Sequence, residues 1–168
     1  MTKHMPPQGM PQRAAGVHVQ RSGLTWAEIA PMPSAVADAR RRVRDRLAPA
    51  DPDFVYDVEL VTSELVTNAI NCVGTLGAPS SQVDPGIWLG IEIRARWIHL
   101  RVRDPYPGAL PKKRQPDPMD TSGRGVLISA TVADYLWAEV SDTDKVVHAV
   151  LTKPGVSLSR ADAAGFVR

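Results

Sequence analysis

Nothing in this chain limits its fold as sharply as the stretch that opens at Asp53. There Val58, Val61, Leu65, Ala69 and Cys72 recur every three or four positions, and no Gly or Pro intervenes before Gly74. At 3.6 residues per turn those side chains form one stripe, so the stretch predicts an amphipathic helix that must lay its stripe on an apolar surface. A second helix is predicted upstream, opening at Pro33-Ser34 and running to about Leu47 before Pro49 and Pro52 stop it. Val36, Val43 and Leu47 form its apolar side, while Arg40, Arg41, Arg42, Arg44 and Arg46 crowd the remainder. Two readings of that basic run stay open, a solvated helix face and a surface for an acidic protein.

The surface under the helices is predicted to be a sheet. Ile87 to Ile93 and Trp97 to Val102 have strand composition and are joined by the short Arg94-Ala95-Arg96 connection, which predicts an antiparallel hairpin. A second hairpin is predicted from Tyr135–Val140 and Val146–Thr152 over Asp142-Thr143-Asp144-Lys145, and the segment Val17 to Ile29 supplies a strand near Val17–Arg21 and another short extended piece. A third helix is predicted after Ser122, covering Val126 to about Ala133. Five prolines between Asp104 and Asp120, with Lys112, Lys113 and Arg114 among them, make that stretch a long irregular loop of the kind that is usually functional or disordered. The expected fold class is α+β, a two-layer sandwich in which a mainly antiparallel mixed sheet is covered on one face by about three helices.

With 168 residues the chain has room for one domain of ordinary size. Residues 1–16, with Pro6, Pro7, Gly9 and Pro11 and few apolar side chains, read as a flexible tail; 17–153 form the domain; 154–168 read as a polar C-terminal tail. Twenty basic against eighteen acidic residues leave a net charge of +2, which implies no nucleic-acid partner. Cys72 is the single cysteine, so no internal disulfide is available, and it has no companion at metal-site spacing; a reducing compartment fits. No run approaches a membrane span, and the N-terminus lacks the apolar core of a signal peptide, so the expected location is cytoplasmic.

Three features carry candidate chemistry. On the predicted second helix Glu64 and Asn68 lie four apart, one turn from each other on the same face, with Asn71 three further on. A carboxylate and an amide bordering an apolar stripe are costly unless partnered, which marks them as site candidates; the alternative is a pair of half-exposed residues making ordinary i,i+4 contacts. Asp104 ends a strand where the chain turns through Pro105-Tyr106-Pro107-Gly108, so its carboxylate can accept from an exocyclic amine and Gly108 admits close approach to the backbone; a plain Asp-Pro turn is the competing reading. Thr121-Ser122-Gly123-Arg124-Gly125 sits immediately before an apolar helix, where free amides and the helix dipole favour phosphate and Arg124 adds a charged donor; Ser122 as a simple helix cap is equally open.

In order and spacing, the three features resemble the GHKL, or histidine-kinase-like, ATPases. Glu64-Leu65-Val66-Thr67-Asn68-Ala69 resembles the N box, Asp104 to Gly108 the first glycine box, and Gly123-Arg124-Gly125-Val126-Leu127-Ile128 the second. The resemblance spans about Val17 to Thr152 and is nearest to the anti-sigma-factor serine/threonine kinases and related stand-alone ATP-binding proteins of actinomycetes. It implies ATP and Mg2+ as cofactors: Asn68 supplies an oxygen to Mg2+, Asp104 holds the adenine amino group, and Gly108, Ser122, Gly123, Arg124, Gly125 and Val126 border the nucleotide. It also implies that Glu64 is the catalytic base toward a serine hydroxyl, with the Pro-rich stretch as an ATP lid. The implied partners are a sigma factor, an anti-sigma-factor antagonist protein, or both, and a homodimer is among the states the resemblance allows.

The sequence departs from the family pattern in two places. The first glycine box usually reads Asp-x-Gly-x-Gly, whereas here Pro105-Tyr106-Pro107 replaces its flexible part and Gly108 alone remains. Cys72 stands four residues after Asn68, where relatives often carry His or Tyr. These departures favour an alternative function, a protein-binding switch whose nucleotide binding is degenerate or purely structural. Two further classes are weaker: a catalytic module detached from a histidine kinase would need a preceding phosphoacceptor helix, and a DNA-binding regulator would need a basic face beyond the one helix. His4, His18, His99 and His148 are all read as structural.

Overall fold

The computed structural model describes residues 23–76, 86–108, 129, 131–159, 161, 162 and 166, together with the backbone of 17–19. Residues 1–16, most of the Pro-rich stretch and the second glycine box, Ser122 to Val126 included, lie outside the described residues. The elements run β1 (Val17–Val19), β2 (Leu24–Ile29), α1 (Ala35–Leu47), α2 (Pro52–Leu76), β3 (Ile87–Ile93), β4 (Trp97–Asp104), β5 (Tyr135–Val140) and β6 (Lys145–Thr152). Ser129, Thr131 and Val132 are helical, and the Ala133 amide donates to the Ser129 carbonyl at 2.8 Å, which places the C-terminal end of the predicted third helix.

The six strands form one sheet in the order β1-β2-β3-β4-β6-β5, and each of the five pairings is antiparallel. The expected mixed character is therefore absent among the described strands. Strand alternation sorts side chains to the two faces. Ile98, Leu100 and Val102 of β4 stand opposite Ile93, Ile91 and Leu89 of β3 and opposite Leu151, Ala149 and Val147 of β6. All but the half-buried Ile93 are buried in one apolar cluster with Ala39 and Val43 of α1 and Val58, Val61, Leu65, Val66 and Ala69 of α2. Burying each of the larger aliphatic side chains contributes about 1.5–3 kcal/mol, so this layer drives folding.

α2 starts where the sequence dictates. Asp51 accepts from the amides of Asp53 and Phe54 at 3.0 and 3.1 Å, and Pro52 occupies the first helical position, where its missing N–H costs nothing. The arginines of α1 are all exposed; Arg41 pairs with Asp38, and Arg44 reaches across to Glu59 of α2.

The opposite face of the sheet is also well filled. Trp26 lies over Gly90, its register partner, so closely that an added Cβ there would meet ring carbons at 3.0–3.1 Å. Glu92 joins Arg101 at 2.8 Å and also pairs with Arg94, while Arg103 Nε reaches Asp144 at 3.2 Å and its Nη1 donates to the Gly86 carbonyl at 2.8 Å. His99 and His148 are buried, with Nε2 of the first 3.0 Å from Nδ1 of the second, and Trp137 stacks on His148 at 4.6 Å. Burial holds both imidazoles neutral, lowering His99 to about 2 and His148 to about 3, with the positive charge of Arg101 adding to the effect. The described residues beyond β6 are tied to this face: Arg96 pairs with Asp162 at 3.1 Å, and the Phe166 ring lies 5.0 Å from Trp97.

Candidate functional site

Glu64, Asn68 and Cys72 repeat at four-residue intervals and so occupy one face of α2, each about 6 Å further along its axis. All three are half-buried, because the neighbouring positions Val61, Leu65 and Ala69 point into the core and carry the row to the rim of the sheet. Burial alone pushes the Glu64 carboxyl above the usual carboxylate range, and it has no ion-pair partner among the described residues. Asn68 Nδ2 is buried and lacks a hydrogen-bond partner among the described residues. Asn71, the third polar residue of the predicted row, is exposed.

Asp104 ends β4 on the helix-facing side and is buried, with 3% of its side chain exposed. Its register partner is Lys145, the first residue of β6, whose side chain is also 3% exposed. Lys145 Nζ lies 2.9 Å from Asp104 Oδ1 and 2.8 Å from Oδ2, donates to the Tyr106 carbonyl at 3.1 Å, and approaches Cys72 Sγ at 3.9 Å. The Tyr106 amide donates to Asp104 Oδ1 at 3.0 Å, closing a turn across Pro105. Burial pushes the Asp104 carboxyl up, and the bonds from Lys145 and Tyr106 pull it back down. Burial likewise raises the Cys72 thiol, with Lys145 opposing. Two buried charges are tolerable here because both carboxylate oxygens and the ammonium donors are engaged.

The structure therefore brings Glu64, Asn68 and Asp104 to one side of the molecule, with Cys72 linking the α2 row to the end of β4. Gly108 is exposed, and a Cβ there would meet nothing within 4 Å, so the backbone at this position stands open. Ser122, Gly123, Arg124, Gly125 and Val126 lie outside the described residues.

Sequence reasoning missed Lys145, which it assigned to the hairpin turn. The signal was present: Lys145 precedes Val147, Ala149 and Leu151 at a period of two, just as Asp104 follows Ile98, Leu100 and Val102. An inward-facing base and an inward-facing acid, each next to a turn, point to a pair once β4 and β6 are set side by side.

The donor set suits one end of a metal–nucleotide ligand better than the other. The Asn68 amide offers a hard oxygen of the kind Mg2+ takes, and its buried nitrogen lacks a partner among the described residues. Glu64 lies one turn away, a half-buried carboxylate with no ion-pair partner among the described residues. Asp104, by contrast, has both oxygens committed to Lys145.

Residues 29–151 match the model of the histidine kinase-like ATPase domain, and the chain belongs to that family. No curated protein sequence matches it. Among solved structures, the fold resembles the RsbU and RsbW domains of Rv1364c from Mycobacterium tuberculosis, with a TM-score of 0.55 at 15% identity over 81% of this chain. The chain spans about a third of that structure's length, 34%. It also resembles the SiaB–SiaC complex from Pseudomonas aeruginosa, with a TM-score of 0.59 at 13% identity over 78% of this chain and 92% of the other.

Proposed function

We propose that this histidine kinase-like ATPase domain is a regulatory protein of the anti-sigma-factor kinase kind, which binds MgATP and sequesters or phosphorylates a partner regulator. The observation that carries this reading is the α2 row, in which a half-buried Glu64 stands one turn from Asn68, and neither the Glu64 carboxylate nor the buried Asn68 amide nitrogen has a partner among the described residues. Asn68 would hold Mg2+ through its amide oxygen, and Gly108, Ser122, Gly123, Arg124, Gly125 and Val126 would border the nucleotide. Mg2+ supplies charge neutralisation and alignment of the phosphate oxygens when bound. Glu64 would take the proton of a serine hydroxyl on the partner protein, a role that its raised affinity for protons suits.

The partner is proposed to be an anti-sigma-factor antagonist protein, a sigma factor, or both, and the setting the cytoplasm. The resemblance in fold to a SiaB–SiaC complex and to an RsbW domain supports a protein partner. No helix among the described residues is long and apolar enough to cross a membrane, and none of their His, Cys, Asp and Glu side chains group into a metal cluster.

A second reading is favoured by one specific observation, the engagement of Asp104 by Lys145. On that reading the chain is a protein-binding switch that acts by sequestration, with nucleotide binding degenerate or purely structural. Calorimetric titration with ATP and Mg2+, beside an Asn68→Ala variant, tests the nucleotide site, and phosphate transfer to a partner protein separates a kinase from a switch whose nucleotide is purely structural. Metal-dependent binding that vanishes in the variant supports the first reading. No heat up to millimolar ATP leaves the second.

A further inference from the structure

The acceptor that a purine amino group would use is already taken. Asp104 Oδ1 accepts from Lys145 Nζ and from the Tyr106 amide, and Oδ2 accepts from Lys145 Nζ at 2.8 Å. Neither side chain of the pair is more than 3% exposed, so a base cannot reach the carboxylate unless the ammonium leaves it. The exchange is unfavourable on physical grounds. The ammonium brings a full counter-charge and reaches both carboxylate oxygens, whereas an amine would bring one uncharged donor and leave the buried carboxylate without a counter-charge. Displacing it would also strand a buried cation whose other neighbours are the Tyr106 carbonyl and the Cys72 sulfur.

We propose that Lys145 caps Asp104 and makes the nucleotide site of this chain indifferent to the base. The ligand class is then a Mg2+-bound nucleoside triphosphate held by its phosphates at the Asn68 end of α2, with the purine 6-position unread. Lys145 is in this sense a specificity-determining residue, one that subtracts adenine selectivity instead of adding it. The inference rests on the reading of the α2 row as a nucleotide site, and the test separates the two.

The test is calorimetric titration, in the presence of Mg2+, of the full chain, of Lys145→Met and of the double variant Lys145→Met/Asp104→Asn. ATP and ITP are the probes, because ITP carries a 6-oxo group where ATP carries the amine. For the native chain the affinities for ATP and ITP are expected to agree within about threefold. Lys145→Met keeps the length of the side chain and removes the ammonium, so it is expected to bind ATP about tenfold more tightly than ITP, the factor one hydrogen bond typically gives. The double variant is expected to lose that preference. A native chain that already prefers ATP about tenfold, or a folded Lys145→Met that prefers neither, overturns the proposal. If the native chain binds neither nucleotide while Lys145→Met binds ATP selectively, the capping role stands and MgATP binding by the native chain falls. Silence in both chains overturns the nucleotide site at the α2 row, and the base-indifference drawn from it falls with that site. A urea melt checks folding, and if Lys145→Met does not fold, the native ATP-to-ITP ratio decides alone.

Discussion

Asn68 and Asp104 stand on neighbouring elements, separated by one helical turn and the Cys72 thiol, yet the chain has treated them in opposite ways. At the Asn68 end an amide nitrogen is buried without a partner among the described residues, and burial raises the proton affinity of the half-buried Glu64 carboxyl. At the Asp104 end a carboxylate, an ammonium, a backbone amide and a backbone carbonyl satisfy one another. Polar groups left wanting on a half-buried surface cost stability and gain something only when a ligand arrives, whereas satisfied ones contribute to the fold and resist any ligand. The contrast therefore separates an unsatisfied end from a satisfied one.

The comparison breaks first, and hardest, at Asp104. Replacing it with Ala leaves Lys145 buried without its counter-charge, and a loss of about 3–5 kcal/mol is expected, read as a lowered urea midpoint. An unchanged midpoint would mean that the pair is not holding the end of the sheet.

Acid offers a sharper separation, because it acts on the back of the same two strands. His99 and His148 titrate near 2 and 3 in the fold against about 6.5 in the unfolded chain. Below about 6.5 the unfolded chain binds protons that the folded one refuses. Their contribution is thus complete above that pH and is lost as the pH falls toward 3, by on the order of 1.4 kcal/mol per pH unit for each ring. Chemical denaturation from pH 7 to 4 should show this slope, and His148→Phe should flatten it; a slope that survives in the variant would move the acid sensitivity elsewhere.

The smallest effects on stability are expected at the Asn68 end. Asn68→Ala and Glu64→Gln should each change the unfolding free energy from urea melts by less than about 1 kcal/mol, since neither removes a partner from a buried group of the described residues. The proposed function further requires that Asn68→Ala abolish metal-dependent nucleotide binding, measured by calorimetry, and that Glu64→Gln abolish phosphate transfer to a partner while leaving that binding intact. A large loss of stability in either would make the two ends alike.

Much of this was legible beforehand. The stripe from Val58 to Ala69 declared α2 because its period has no competitor, and the four-residue spacing of Glu64 and Asn68 fixed their common face without reference to any contact, although the row continues through the half-buried Cys72 and not the exposed Asn71. The β3–β4 hairpin followed from two apolar runs and a short connection. What the sequence could not supply was the neighbour across the β4–β6 seam, since those strands are distant in the chain and their register is set by tertiary packing. Asp104 therefore read as an open acceptor and Lys145 as a turn residue. The same limit hid the packing of Phe166 against Trp97, because one aromatic in a polar stretch has no periodicity to expose it.

The seam also bears on time. The β3–β4 hairpin, the β5–β6 hairpin and the α1–α2 pair each form from segments close in the chain, whereas joining β4 to β6 must close a much longer loop. The Asp104–Lys145 pair lies at the end of that seam nearest the loop, so it belongs to the contacts expected after the folding barrier has been crossed. Its worth would then be spent on the lifetime of the native state: loosening it should leave refolding at its native speed and steepen the rate at which the sheet comes apart.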